Sequence, residues 1–182
     1  MELYIKQEAF TGHFTVMDAL GKDRWYARRG GGLFAQWDEL QVFDTGGNLA
    51  AQLDSDYYRE YSIKINGQDR EPPKPPRRTK MPLHDFVAQA RQDADPPLTL
   101  VAKRYNFKPT SYYLEGLPWR IDRNKNEYTL HADGSGMMRI TKEFFVFLGS
   151  YRLDIAKPRK ELLCVCIALA IACIEAEERA RD

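Results

Sequence analysis

Leu162-Leu163-Cys164-Val165-Cys166-Ile167-Ala168-Leu169-Ala170-Ile171-Ala172-Cys173-Ile174 is the stretch that decides the fold. Every residue in it is apolar. A helix that is apolar all round must be buried on every side, by protein or by lipid. At 1.5 Å per residue the run spans about 20 Å, against a hydrocarbon core of about 30 Å. Adding Ala176 does not close that gap, because Glu175 and Glu177 interrupt. The run is therefore too short for a comfortable transmembrane helix. Ala168, Ala170 and Ala172 alternate with larger residues, which suits close packing against surrounding side chains. The polar tail Glu175-Ala176-Glu177-Glu178-Arg179 is expected to emerge into solvent.

All three cysteines fall within or beside this apolar core, at 164, 166 and 173. Cys164 and Cys166 are about 200° apart around a helix, and Cys166 and Cys173 are separated by roughly 10 Å along one face. Neither geometry allows an intrahelical disulfide, which needs Cα atoms within about 7 Å. They read as small buried hydrophobes.

The chain before the run can supply the wrapping. Its first third alternates with period two: Leu3 and Ile5 oppose Tyr4 and Lys6, and Phe14 and Val16 oppose Thr15. Trp25 and Ala27 oppose Arg24 and Arg28. Leu40 and Val42 follow, then Leu49, Ala51 and Leu53, then Tyr61, Ile63 and Ile65. Turn signals separate these runs, at Thr11-Gly12, Leu20–Asp23, Arg29–Gly32 and Asp44–Asn48. Short strands at regular spacing with Gly/Asn/Asp turns indicate antiparallel hairpins in a sandwich or barrel. Strands resume at Leu98–Phe107, Ser111–Glu115, Trp119–Asp122, Glu127–Ala132, Gly136–Phe147 and Tyr151–Ile155. Lys157-Pro158-Arg159-Lys160-Glu161 then opens the helix, with Pro tolerated in the first turn.

Residues 66–97 break the alternation. Glu71-Pro72-Pro73-Lys74-Pro75-Pro76-Arg77-Arg78 reads as extended polyproline II. Leu83, Phe86, Val87 and Ala90 have the spacing of one short amphipathic helix over 83–92. The whole segment reads as a surface insertion in a single domain spanning 1–182. A weak internal echo relates Tyr61–Ile65 to Tyr151–Ile155, each preceded by an aromatic pair, Tyr57-Tyr58 and Phe144-Phe145.

At 182 residues, 43% hydrophobic, 29% charged and a net charge of +1, the chain has an ordinary globular composition. It is long enough for a core without staples. Near-neutral charge gives no bulk reason to expect nucleic acid. The opening Met1–Gln7 has no basic region followed by an apolar run, so no signal peptide is expected. A cytoplasmic location, peripheral at a membrane where lipid is bound, is the default.

Several stretches resemble the LURP-one-related proteins, including the bacterial YxjI type. These are Leu3–Gln7, Phe14–Asp18, Tyr113–Ile121 and, most closely, Ile140–Glu143, Tyr151–Ile155 and Glu161–Leu163 running into the apolar helix. The resemblance covers roughly residues 2–65 and 98–176 and leaves 66–97 as an addition. It implies a Tubby C-terminal-like fold, a twelve-stranded antiparallel β-barrel threaded by a central C-terminal helix. Phospholipid scramblases are similar at that level. The motifs are structural rather than catalytic.

Chemistry-bearing patterns are sparse. His13, His84 and His131 have no metal-ligand spacing. There is no Gly-x-Ser-x-Gly elbow and no Gly-x-x-x-x-Gly-Lys phosphate loop. Gly30-Gly31-Gly32 reads as a hairpin connection. Asp18, Asp23, Asp38, Glu39 and Asp44 read as turn or strand-end carboxylates. Asp54-Ser55-Asp56 has no continuing calcium-loop pattern. No cofactor or metal is expected.

The basic, proline-rich segment is the best candidate contact site. Pro72, Pro75 and Arg77 form Pro-x-x-Pro-x-Arg, the pattern read as polyproline II by SH3-like grooves. Arg78 and Lys80 add charge. With Arg28, Arg29, Lys103 and Arg104 they would make a basic patch for anionic headgroups, if the fold brought them together. The leading expectation is a non-enzymatic module that binds anionic lipid at a membrane surface. The alternatives are a protein-interaction domain using the insertion and, third, an enzyme with a barrel-rim site.

Overall fold

A computed structural model describes residues 1–8, 12–29, 39–55, 60–65, 98–105, 108–115, 117–132, 134–143 and 150–179. Alternating residues build its strands: β1 (Glu2–Gln7), β2 (Phe14–Asp18), β3 (Asp23–Arg29), β4 (Glu39–Asp44), β5 (Leu49–Ser55) and β6 (Tyr61–Ile65) come first. Then follow β7 (Leu98–Tyr105), β8 (Lys108–Glu115), β9 (Arg120–Asn124), β10 (Glu127–Ala132), β11 (Ser135–Glu143) and β12 (Ser150–Ile155). A 3₁₀ turn (Pro158–Lys160) leads into α1 (Glu161–Arg179).

The twelve strands close into one antiparallel barrel, each beside its sequence neighbours. Closure comes from β1, which pairs with β2 (Ile5↔Val16) and with β12 (Leu3↔Leu153). A closed barrel leaves no sheet edge to template aggregation. Period two puts Leu3, Ile5, Val16, Val42, Leu53, Leu114, Ile121 and Leu130 inside, all at most 1% exposed. α1 fills the interior they enclose. From Cys164 to Ile174 no residue is more than 3% exposed. Bulky strand residues such as Tyr112 and Tyr128, whose rings lie 5.9 Å apart, belong to the same core. The helix is thus buried by protein, and among the described residues no helix is long and apolar enough to cross a membrane. The three thiols are free and buried.

The two echoing segments are β6 and β12. Each echo turns its leading tyrosine and the residue two further on inward, Tyr61 with Ile63 and Tyr151 with Leu153. They stand six places apart in the ring of strands, on opposite sides of α1. The aromatic pairs before them lie outside the described residues, as do the insertion at 66–97 and the expected helix at 83–92.

Two expectations fail locally. Alternation puts Leu49 on the inward face with Ala51 and Leu53, but it is 36% exposed. Val42 pairs with Ala51 and Phe43 with Leu49, so Ala50 is an extra residue and the alternation slips there. Such a β-bulge sets two residues against one and reverses the facing beyond it. Glu175 does not emerge into solvent. It is 5% exposed, because at this point α1 is still inside the lower rim, among polar partners.

The rim where β1 begins and α1 starts is here termed the upper rim. It carries the β2–β3, β4–β5 and β10–β11 turns and the strand ends Ile65 and Leu98. The lower rim carries the β9–β10 turn and Glu175.

Candidate functional site

Two hairpins of the same design frame the upper rim. Asp18 Oδ1 accepts the backbone N–H of Leu20 and of Lys22, both at 3.0 Å. Asp44 Oδ1 accepts those of Gly46 and Asn48, both at 2.9 Å. Gly21 (φ 76°) and Gly47 (φ 81°) supply the left-handed residue each turn needs. Hydrogen bonds from the Asn48 side chain and backbone hold the Asp44 carboxyl below its ordinary range. Asp18 and Asp44 are therefore turn residues, as the sequence suggested. At the hairpin tip Leu20 is 93% exposed.

A second bulge prepares the site. Val16 pairs with Trp25 and Met17 with Asp23, which leaves Arg24 as the extra residue in β3. Bulges re-aim side chains, and this one sends the guanidinium to Glu161, the first residue of α1. Arg24 Nε donates to Oε1 at 3.2 Å and Nη2 to Oε2 at 3.0 Å. Trp25 Nε1 donates to Oε1 at 2.8 Å. The bond to Glu161 and its charge raise Arg24 above its ordinary pKa. A carboxylate in the first helical turn is also favoured by the unsatisfied N–H groups there.

Between these hairpins and the 3₁₀ turn lies a cavity of about 400 Å³. Trp25, Pro158 and Leu162 give it apolar wall; Arg24, Lys22 and Arg159 give it cations. Arg24 is held by Glu161. Among the described residues, the side chains of Lys22 and Arg159 have no hydrogen-bond or ion-pair partner, nor do those of Lys157 and Lys160 beside them. The carboxylates are all engaged. Asp23 accepts from the Tyr26 hydroxyl, Asp44 closes its turn and Glu161 holds Arg24.

The lower rim has its own glutamate. Glu175 accepts hydrogen bonds from the hydroxyls of Tyr128 and Tyr151 (the latter at 2.9 Å) and from Lys142 Nζ at 3.1 Å. Arg123 Nη2 lies 3.7 Å away. Burial alone pushes this carboxyl up, but the hydrogen bonds from Tyr128, Lys142 and Tyr151, with the Lys142 charge, outweigh it and leave the pKa lowered. Burial and the neighbouring Tyr112 and Glu175 push the Tyr128 phenol upward.

The residues singled out in the sequence are not gathered here. Arg28 is exposed on β3, with its guanidinium 4.6 Å from the Phe43 ring centroid. Arg29 ends β3 near the lower rim and packs against Gly12. Lys103 and Arg104 lie in β7, with β4, β5 and β6 between it and β3. At about 4.8 Å per strand that separation is roughly 19 Å around the wall, so the backbone does not bring the two pairs together. Pro72, Pro75, Arg77, Arg78 and Lys80 lie outside the described residues, as do His84, Asp38 and Gly30–Gly32. His13 immediately precedes β2 and lies 3.8 Å from Glu8, and His131 in β10 lies 3.5 Å from Asp122. Among the described residues no three His, Cys, Asp or Glu side chains are grouped to hold a metal ion.

Sequence reading passed over Lys22, Arg24, Trp25, Arg159 and Glu161. Arg24 and Glu161 are 137 positions apart, and their contact depends on a bulge that no pattern announces. One signal was present. A glutamate stands immediately before the apolar run and another immediately after it.

No family model matches the chain. It is 22% identical over 178 residues to the uncharacterised protein YxjI of Bacillus subtilis (strain 168), covering 94% of this chain and 91% of that one. Its fold is similar to the X-ray structure of a protein from Arabidopsis thaliana, with a TM-score of 0.53 and 11% identity over 92% of this chain and 89% of the other. The YxjI-type resemblance carried by Ile140–Glu143 and Tyr151–Ile155 thus extends across nearly the whole chain, and at such low identity the Arabidopsis structure speaks for the fold alone.

Proposed function

We propose that the protein is a non-enzymatic binding module whose upper rim takes an anionic ligand presented at a membrane surface. The observation that carries this reading is the 400 Å³ cavity with the unpartnered cations Lys22 and Arg159 in its lining. The cavity's carboxylates are already committed, Asp44 to its turn, Asp23 to the Tyr26 hydroxyl and Glu161 to Arg24, which leaves Lys22 and Arg159 as its available charges and supports a binding role. Leu20, fully displayed beside Lys22, suits the interfacial region of a bilayer. The Tubby C-terminal-like placement belongs to the same proposal, supported by the closed twelve-stranded barrel around a C-terminal helix.

Among the described residues around the cavity the charges are mixed. Lys22, Arg24, Lys157, Arg159 and Lys160 face Asp18, Asp23, Asp44 and Glu161, so attraction depends on close contact. Each free cation near an anionic surface contributes at most about 1 kcal/mol. Vesicle flotation with and without phosphatidylserine tests the reading. Wild type should float with the anionic vesicles only, and Lys22→Gln/Arg159→Gln should lose about 2 kcal/mol, roughly thirtyfold in affinity. Equal absence of wild type from both vesicle fractions would overturn it.

A further inference from the structure

We infer that Glu161 is an internal competitor at this cavity, holding the donors that an external phosphate group would otherwise take. The inference rests on the binding reading above and adds the ligand's chemistry and its control. Arg24's planar fork grips the Glu161 carboxylate through two N–H groups, and the Trp25 indole N–H adds a third donor to the same carboxylate. Fork and indole together form an oxyanion-binding set, and its present occupant is the chain's own side chain. Glu161 is 9% exposed, so it lies under the cavity rather than out in solvent.

An external carboxylate has little prospect of replacing Glu161. It would bring the same charge and the same two oxygens, against a group tethered in place at high effective concentration. A phosphate monoester differs in two respects. It carries about −1.5 to −2 at neutral pH and has three terminal oxygens. Those oxygens suit Arg24 together with Lys22 and Arg159, two cations that Glu161 leaves unused. Arg is the better partner for such bidentate recognition, with Lys acting as a point charge. A lipid such as phosphatidic acid and a soluble phosphate both present this chemistry.

Removing the competitor should therefore strengthen binding. Glu161→Gln keeps the shape and an oxygen for the Trp25 indole, but gives up the charge that grips Arg24. Charge-assisted hydrogen bonds correspond to about tenfold or more in an equilibrium constant. The experiment titrates wild type, Glu161→Gln and Lys22→Gln/Arg159→Gln with inorganic pyrophosphate, and in a second arm with phosphatidic acid vesicles. The expected result is binding by wild type, about tenfold tighter binding by Glu161→Gln, and loss in the double variant. Preference between arms separates a lipid headgroup from a soluble ligand. A wild-type measurement covers the case in which Glu161→Gln does not fold. The Trp25 indole N–H resonance, assigned through Trp25→Phe, should shift as pyrophosphate displaces Glu161. If wild type binds but its indole resonance stays still, or Glu161→Gln binds no more tightly, the competitor role is wrong while the binding reading stands. If no protein binds either probe, both are wrong.

Discussion

Glu175→Ala should be the most damaging single truncation of a polar side chain at the lower rim. The carboxylate is 5% exposed and accepts from two phenols and an ammonium, with Arg123 at 3.7 Å. Its loss takes the counter-charge from Lys142 and Arg123, whose side chains are only 19% and 30% exposed. Hydrogen bonds to charged groups are worth about 1.5–3 kcal/mol each, and three of them would overstate the total because Lys142 and Arg123 can turn toward water. Breaking one side of a buried pair costs about 3–5 kcal/mol, which is the appropriate figure. For a chain of this size that lowers the melting temperature by about 6–20 °C. Urea unfolding at pH 7, followed by circular dichroism and tryptophan fluorescence, should show a lower midpoint with an unchanged slope. A loss below about 1 kcal/mol would refute the assignment of Glu175 as a buried anchor.

The same site predicts a pH dependence. The folded-state pKa of Glu175 is lowered, so its charge stabilises the fold above the unfolded value, near 4.5, and that stabilisation fades as pH falls through the folded value. The stability difference between wild type and Glu175→Gln should be constant from about pH 6 to 8 and shrink below about pH 4.5. A difference that grows on acidification would reverse the sign and sink the argument.

Leu169, fully buried mid-helix, should not tolerate Leu169→Asp, which places an unpaired charge in the barrel centre, whereas Leu169→Met should cost less than about 1.5 kcal/mol. A soluble, cooperatively unfolding Asp variant would show that α1 is not the plug. The thiols should be inert in the native state, because burial pushes Cys164 up to about 12 and Cys166 higher still. Labelling by a thiol-disulfide reagent at pH 8 should then proceed only at the rate of opening, and rapid labelling of folded protein would contradict the burial.

The barrel was legible because its signals are local. Period-two runs such as Leu3/Ile5 and Ile63/Ile65 need only their own residues to choose a face, and an all-apolar helix needs no partner sequence to announce burial. The site was not legible because it depends on register. Arg24 reaches Glu161 only because β3 gains an extra residue against β2, just as Ala50 interrupts β5 and Met137 interrupts β11. At Leu49 this cost the sequence reading one inward residue. Alternation constrains neighbours two apart but carries no mark where one residue is added. The basic residues picked out by composition, Arg28, Arg29, Lys103 and Arg104, stand on strands that the barrel holds apart.

The two glutamates that bound the apolar run locate it along the barrel axis. Glu161 and Glu175 are fourteen positions apart, about 21 Å along the helix. Strands of five to nine residues, tilted as barrel strands are, give a wall of roughly 13–23 Å. The apolar run is therefore about as long as the wall is high, and each carboxylate meets its donors at a rim. Sliding α1 by one turn would draw one glutamate into the apolar interior, so the pair fixes register more than it adds stability. The rims differ in one respect. Glu175 is enclosed by Tyr128, Tyr151 and Lys142, while Glu161 borders a cavity with free cations. A ligand that takes Arg24 from Glu161 would loosen the upper anchor and leave the lower one in place. Binding at the rim and seating of the plug are then linked through a single carboxylate.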